Sequence, residues 1–187
     1  MDTSTVSDVK ATSADLNGEW SIADTSKVYW SVTTSKETVN FVNTGVKGKW
    51  QVNVDDTASM TGEGSIDMSV LDSGNEKRDE HVKGEDFLAA GIYPEATFKA
   101  ESFSGIPSEW TEGEVVPLEM KGQLNVKGVE KDVTFASEVV YRDNQLLMSG
   151  TTEITFSDFG LENPHTVVLD TENDLNVRLE LMLTKVE

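Results

Sequence analysis

"LNVRLELML", Leu175–Leu183, puts leucine or valine on every odd position and asparagine, arginine and glutamate on three of the four positions between. A period of two gives one buried and one solvated face, which describes a β-strand and not a helix. The same alternation runs back through the chain. Leu146, Met148, Ile154 and Phe156 share an even register; Val133, Phe135, Val139 and Tyr141 share an odd one. Leu118, Met120, Leu124 and Val126 alternate with Gly122 in step, Trp50, Val52 and Val54 alternate with polar residues, and Val28, Trp30 and Val32 alternate with Tyr29 and Ser31. Turn sequences punctuate these runs: "NTGVKG", "DSGN", "VKGVEKD", "RDNQ" and "ENPH". The stretch from Arg78 to Gly91 resists the pattern, and "GEDFLAAG" at 84–91 reads as a short helical excursion. The chain is therefore predicted to be all-β and mainly antiparallel, with one-sided strands that close into a barrel or pack as a sandwich. Gly122, Ser137, Gly150 and Thr152 fall on inward positions, where small residues leave room inside.

At 187 residues the chain fits one domain. Residues 1–17 are rich in Ser, Thr and Asp and lack a period, so they read as a flexible lead-in or linker, with the domain at 18–187. No run approaches the ~18 apolar residues of a membrane helix, and mean hydropathy is -0.35. The sequence has 34 acidic and 15 basic residues, net charge -19. That field repels nucleic acid and anionic surfaces and argues strongly against both as partners, while the lack of a long apolar run argues against stable membrane insertion. The charge suits a solvated acidic coat. "LDTENDLN" offers Asp170, Glu172 and Asp174 as a calcium candidate, but without the glycine and distal glutamate of an EF-hand loop. No cysteine is present, so disulfides and thiolate chemistry are excluded.

Signs of catalysis are weak. His81 sits among Asp79 and Asp86, and His165 follows Pro164 in a turn; surface histidines among carboxylates account for both. No nucleophile elbow or phosphate-binding loop is present, and no carboxylate pair stands out as suited to glycoside hydrolysis. The expectation is a protein that is not an enzyme and carries no metal.

Four segments in order resemble the YceI-like polyisoprenoid-binding proteins: "WSIADTSKVYWSV", "SGNEKRDEHVKGEDFLAAGIYPEATF", "KGQLNVKGVEKDVTF" and "ITFSDFGL". Arg78-Asp79, His81, Asp86-Phe87, Tyr93-Pro94 and Thr97-Phe98 carry the most specific part. The resemblance covers about Glu19 to Glu187. It departs between Val32 and Trp50, and at Thr25, where the family commonly has a histidine. It implies an extended lipocalin-like eight-stranded antiparallel β-barrel with a long apolar pocket. It further implies an isoprenoid lipid as ligand, a polyprenyl phosphate or quinone-like molecule, in the periplasm or outside the cell, with pairing as a homodimer.

On this reading the charged run Asn75–Asp86 supplies a solvated rim, while Phe87, Leu88, Ile92, Tyr93 and Phe98 point into the barrel or plug it. Arg78 either pairs with Asp79 or Asp86 or faces the lipid head group; the net charge favours a neutral or solvent-exposed head. The expected ligand-binding lining is Val28, Trp30, Phe41, Val52, Met68, Phe87, Phe98, Met120, Leu124, Phe135, Tyr141, Met148, Ile154, Phe156, Val177, Leu179 and Leu181, with Arg78 at the rim. A competing reading is a carbohydrate-binding β-sandwich, in which Trp20, Trp30, Trp50 and Trp110 form an exposed stacking platform. A lipid-modifying enzyme would instead need a polar cluster inside the barrel.

Overall fold

Leu175–Leu183 lies in the longest strand of the protein, and the two edges of that strand organise the rest. The computed structural model describes residues 9–85, 87–161 and 171–186, with 171–173 described by backbone alone. In chain order the strands are β1 Lys10–Ala11, β2 Gly18–Ile22, β3 Lys27–Thr34, β4 Thr38–Asn43, β5 Val46–Val52, β6 Thr61–Asp67, β7 Leu71–Asp72, β8 Glu95–Ser104, β9 Trp110–Thr111, β10 Val115–Val126, β11 Val129–Arg142, β12 Gln145–Thr155 and β13 Thr171–Lys185. Helix α1, Ser13–Leu16, precedes β2, and helix α2, Glu76–Lys83, precedes β8.

One edge of β13 pairs with β12, from Leu146 opposite Leu183 to Ile154 opposite Leu175. The other edge is shared: β2 takes Leu183–Lys185, and β3 pairs along Leu175–Glu180. From β12 the order runs β11, β10, β8, β6, β5, β2 and back to β13, so eight antiparallel strands close a barrel. β3, β4 and β7 extend the wall beyond the reach of β2. The long hairpins turn in two residues, Lys127-Gly128 and Asp143-Asn144, all four with positive φ. Such turns match the twist of the strands they join. At Gly122 the β8–β10 register slips, and a Cβ there would lie 1.9 Å from the Lys99 carbonyl oxygen, so this bulge requires glycine.

The inward registers read from the sequence are the buried ones: Leu118, Met120, Val133, Phe135, Val139, Tyr141, Leu146, Met148, Leu181 and Leu183 all lie in the core. One end of the barrel is packed solid. Trp20 is fully buried, meets Tyr141 edge-on at 6.4 Å and donates its indole N–H to the Leu16 carbonyl at 2.8 Å. Leu16 is itself 1% exposed. The flexible lead-in expected through Asn17 is therefore corrected over residues 9–17. There β1 pairs with β9, Thr12 and Asp15 form a capping box for α1, and Asn17 accepts the amide of Val54. Burial of Leu16 and Trp20 outweighs a local sequence that favours no structure. Residues 1–8 lie outside the described residues.

The helical excursion also sits earlier than 84–91. Asn75 caps α2 by accepting the Arg78 amide at 3.1 Å, Glu76 and Asp79 occupy the first turn, and His81 and Lys83 the last. These charges complement the helix dipole. Gly84 ends the helix, and turns follow to Gly91, with Ala89 at φ 49.

Candidate functional site: an apolar cavity at one end of the barrel

Away from the end sealed by Trp20, the barrel is hollow. The void is about 130 Å³, or about 1020 Å³ counted out through its mouth. Its wall comes from Ile22, Val28, Trp30, Val46, Trp50, Gly62–Ile66, Ala96–Phe98, Met120, Leu124, Val126, Phe135, Ile154, Leu175, Val177, Leu179 and Leu181 on the strands, and from Met68, Phe87, Leu88 and Leu161 in the connections. Ile66, Phe98, Leu124, Val126, Val177 and Leu179 are only partly buried although they line this wall. They pack against the core on one side, Phe98 edge-on against the Phe135 ring at 5.1 Å, and border the void on another.

The room arises along β6. At Gly62 the Trp50 indole takes the space, 3.0 Å from where a Cβ would lie, but a Cβ on Gly64 would meet only Ile22 Cδ1 at 3.6 Å and the Lys47 carbonyl at 3.7 Å. The small residues singled out from the sequence do something else. Gly150 accommodates Ser137, whose hydroxyl would lie 2.9 Å from a Cβ, and Gly122 accommodates β8. Neither these three nor Thr152 borders the void.

Twelve of the expected lining residues stand in the wall: Val28, Trp30, Met68, Phe87, Phe98, Met120, Leu124, Phe135, Ile154, Val177, Leu179 and Leu181. Six do not. Phe41 is buried behind Trp30, its ring stacked at 4.0 Å and 8°. Val52 pairs with Gly18 next to the sealed end. Tyr141 packs on Trp20 and donates its hydroxyl to Asn144. Met148 is core between Val139 and Leu181. Phe156, fully buried, supports Phe87 edge-on from behind at 5.5 Å. Parity places a side chain inside the barrel but not at a height along it, which is why these five were included.

Arg78 is the sixth. It pairs with Glu37 of the β3–β4 hairpin at 3.7 Å and not with Asp79. Asp79 is buried and accepts the Ser73 amide and hydroxyl, which pins α2 to the turn before it. Asp86 lies outside the described residues. Lys83 binds Glu80 at 2.9 Å, and that hydrogen bond raises its pKa above the ordinary lysine value. Among the described residues no lysine or arginine stands in the cavity wall, and Glu63 is its one charged residue, in register with Lys49 and Lys99.

Leu88 stands in the wall as expected for the plug, whereas Ile92 and Tyr93, expected to point inward with it, are exposed; the sequence reading missed Ile22, Val46, Trp50, Ile66, Ala96, Val126, Leu161, Leu175 and the stretch Gly62–Ser65 with Thr97. Trp50, Val126 and Leu175 were already on inward registers. "GEGSI", Gly62–Ile66, carried the missing signal: a strand whose inward positions have no side chain until Ile66.

Trp20, Trp30, Trp50 and Trp110 are all buried, between 0% and 9% exposed, so the stacking platform of the carbohydrate reading does not exist. Trp30 is held by a polar relay: its N–H donates to Asn43 Oδ1 at 2.8 Å, and Asn43 Nδ2 donates to the Asp67 carbonyl at 3.1 Å. Among the described residues no group of three or more His, Asp or Glu could hold a metal ion, and His81 is exposed on α2. His165 and Asp170 lie outside the described residues, as does the side chain of Glu172, so the calcium candidate does too.

Residues 6–181 match the family described as the YceI-like domain. A UPF0312 protein of Vibrio parahaemolyticus is 31% identical over 102 residues, 51% of this chain and 50% of its own. Another, from Shewanella putrefaciens, is 29% identical over 113 residues, 56% and 54% of the two chains. The chain spans about half the length of the curated relatives it matches. Among solved structures, BcnA of Burkholderia cenocepacia superposes with a TM-score of 0.70 at 20% identity, covering 84% of this chain and 95% of that one. A polyisoprenoid binding domain from Saccharophagus degradans, implicated in plant cell wall breakdown, superposes with a TM-score of 0.75 at 15% identity, covering 89% and 98%. At these identities the likeness is one of fold.

Proposed function

The chain belongs to the YceI-like family, and we propose that its barrel holds the tail of a long-chain isoprenoid lipid, of polyprenyl phosphate or quinone-like type, as a carrier, store or sequestering protein. The observation that supports this most directly is the wall itself, apolar side chains from nine strands and their connections around one void. Each buried CH₂ contributes roughly 0.8 kcal/mol, so a long tail supplies ample gross affinity before ordering costs are subtracted. The void at rest is smaller than such a tail. Met68 and Met120, unbranched and adaptable, and the loop carrying Phe87 and Leu88 are the parts of the wall able to yield.

The protein acts by binding and not by catalysis. Among the described residues the buried polar side chains, Ser26, Asn43, Asp79 and Ser137, serve structure: Ser26 accepts the Met182 amide, Ser137 donates to the Phe135 carbonyl, and Asn43 and Asp79 hold strands and helix as described. An isoprenoid carrier that is free of cysteine and strongly acidic suits the periplasm or the cell exterior. Mass spectrometry of an organic extract of the purified protein tests the reading. A prenyl-chain lipid retained through purification supports it. A protein that is empty, and that takes up no added polyprenol or quinone, sinks it.

A further inference from the structure

Resting on the lipid reading, we propose that Val70, Ile92 and Tyr93 form an apolar rim that docks the cavity mouth onto an uncharged or zwitterionic lipid bilayer, from which the tail is loaded. Ile92 is 65% exposed, Val70 42% and Tyr93 38%, on a chain of net charge -19; the other exposed large apolar side chains among the described residues, Val9, Val115, Leu147 and Val186, lie toward the sealed end. They are not scattered. The Met68 amide donates to the Pro94 carbonyl at 2.8 Å, which sets the 68–70 turn beside residues 92–94. The Tyr93 ring rests on Gly128, where a Cβ would lie 3.0 Å from it, at the tip of the hairpin whose Val126 lines the cavity.

Each rim residue is thus close in chain to a wall residue: Val70 to Met68, Ile92 to Leu88, Tyr93 to Ala96. The loop is also built to present its tip. Ala89 takes a left-handed turn at φ 49, and its carbonyl accepts the amides of both Ile92 and Tyr93, at 2.9 and 2.8 Å. Phe87 and Leu88 are buried before the turn and Ile92 is exposed after it.

The occupant follows from chemistry. A long prenyl chain does not travel free in water; it resides in a bilayer, and a carrier must touch that bilayer to take it. An aromatic residue with a polar tip beside an aliphatic one suits the bilayer interface. The net charge of the protein rules against a strongly anionic surface.

The test uses the full chain and a long-chain polyprenol offered two ways, in phosphatidylcholine vesicles and as a dilute dispersion without vesicles. Ile92→Asp is compared with Leu147→Asp, which adds the same charge to an exposed site at the sealed end of β12. Ile92→Asp should load from vesicles at least tenfold more slowly than wild type, with uptake from the dispersion unchanged, while Leu147→Asp matches wild type in both. If Ile92→Asp melts below wild type, Ile92→Ser replaces it and should show the same split. Equal vesicle loading by wild type and rim variants overturns the inference while leaving the lipid reading intact, as does equal slowing by Leu147→Asp or an equal loss from the dispersion. Wild type that loads from neither source overturns both.

Discussion

Gly64 offers the sharpest perturbation, because stability and binding should move in opposite directions there. Its added Cβ would find ordinary contacts at 3.6 and 3.7 Å, and beyond them the void. Glycine within a strand costs roughly 0.5–1 kcal/mol relative to alanine, so Gly64→Ala should stabilise the fold by about that much. For a protein of this size that is a rise in Tm of roughly 1–4 °C. Gly64→Leu places four carbons in the cavity. If each displaces about one ligand carbon at roughly 0.8 kcal/mol, binding weakens by up to about 3 kcal/mol, on the order of 150-fold. Neighbouring glycines give the contrast. Gly48 has φ 154, and its Cβ would lie 2.1 Å from the Glu63 carbonyl oxygen, so Gly48→Ala should destabilise. Thermal unfolding and displacement of a fluorescent lipid measure the two quantities. If Gly64→Leu unfolds early, or binds lipid as tightly as wild type, then the space beside β6 is not where the tail lies.

Trp30→Phe keeps the stack on Phe41 but leaves Asn43 Oδ1, fully buried, without its donor; the loss should be ~1–3 kcal/mol, read as a fall in Tm of roughly 2–12 °C, and an unchanged melt would mean the relay is idle. Leu16→Ala should cost ~2–5 kcal/mol in denaturant unfolding, whereas a loose lead-in would make it silent. Asp15 accepts the Thr12 amide and then its hydroxyl, which hold its carboxyl below the ordinary aspartate value against a small opposing effect of burial. Because the folded pKa is the lower one, its stabilisation is present above the unfolded value, about 3.9, and is lost as pH falls through the folded value. NMR titration should show Thr12→Val raising the Asp15 pKa part of the way back, since the amide remains; no rise would refute the capping box as its cause.

Strand registers were legible because burial on one face imposes a period of two, and nothing local competes with it in stretches such as Leu175–Leu183. What parity cannot supply is height along the barrel. Phe41, Tyr141 and Phe98 have equal claims by register, yet Phe98 borders the void while Tyr141 closes the far end against Trp20. Helix α2 was misplaced because it is held by a cap and by the buried carboxylate of Asp79, not by an apolar stripe; Val82 is its one buried hydrophobic residue. Residues 9–17 looked disordered because their order comes from a single leucine and a tryptophan four positions on, a tertiary cause that composition does not reveal. Arg78 had several acidic neighbours in sequence, and its partner Glu37 lies on another hairpin.

The two ends of the barrel are best understood together. A void of about 130 Å³ is a standing loss of roughly 3 kcal/mol at ~24 cal/mol per Å³, a sizeable part of a net stability on the order of 5–15 kcal/mol. Something must offset it, and the sealed end does: Trp20, Leu16, Tyr141 and Leu183 are packed there at 5% exposure or less. Gly64 keeps the loss from relaxing away, because bare backbone in a hydrogen-bonded strand cannot collapse inward as a flexible side chain would. A ligand tail that fills the space recovers that loss in addition to its own transfer from water. The empty barrel is therefore biased toward occupancy by the same omission of side chains that weakens it.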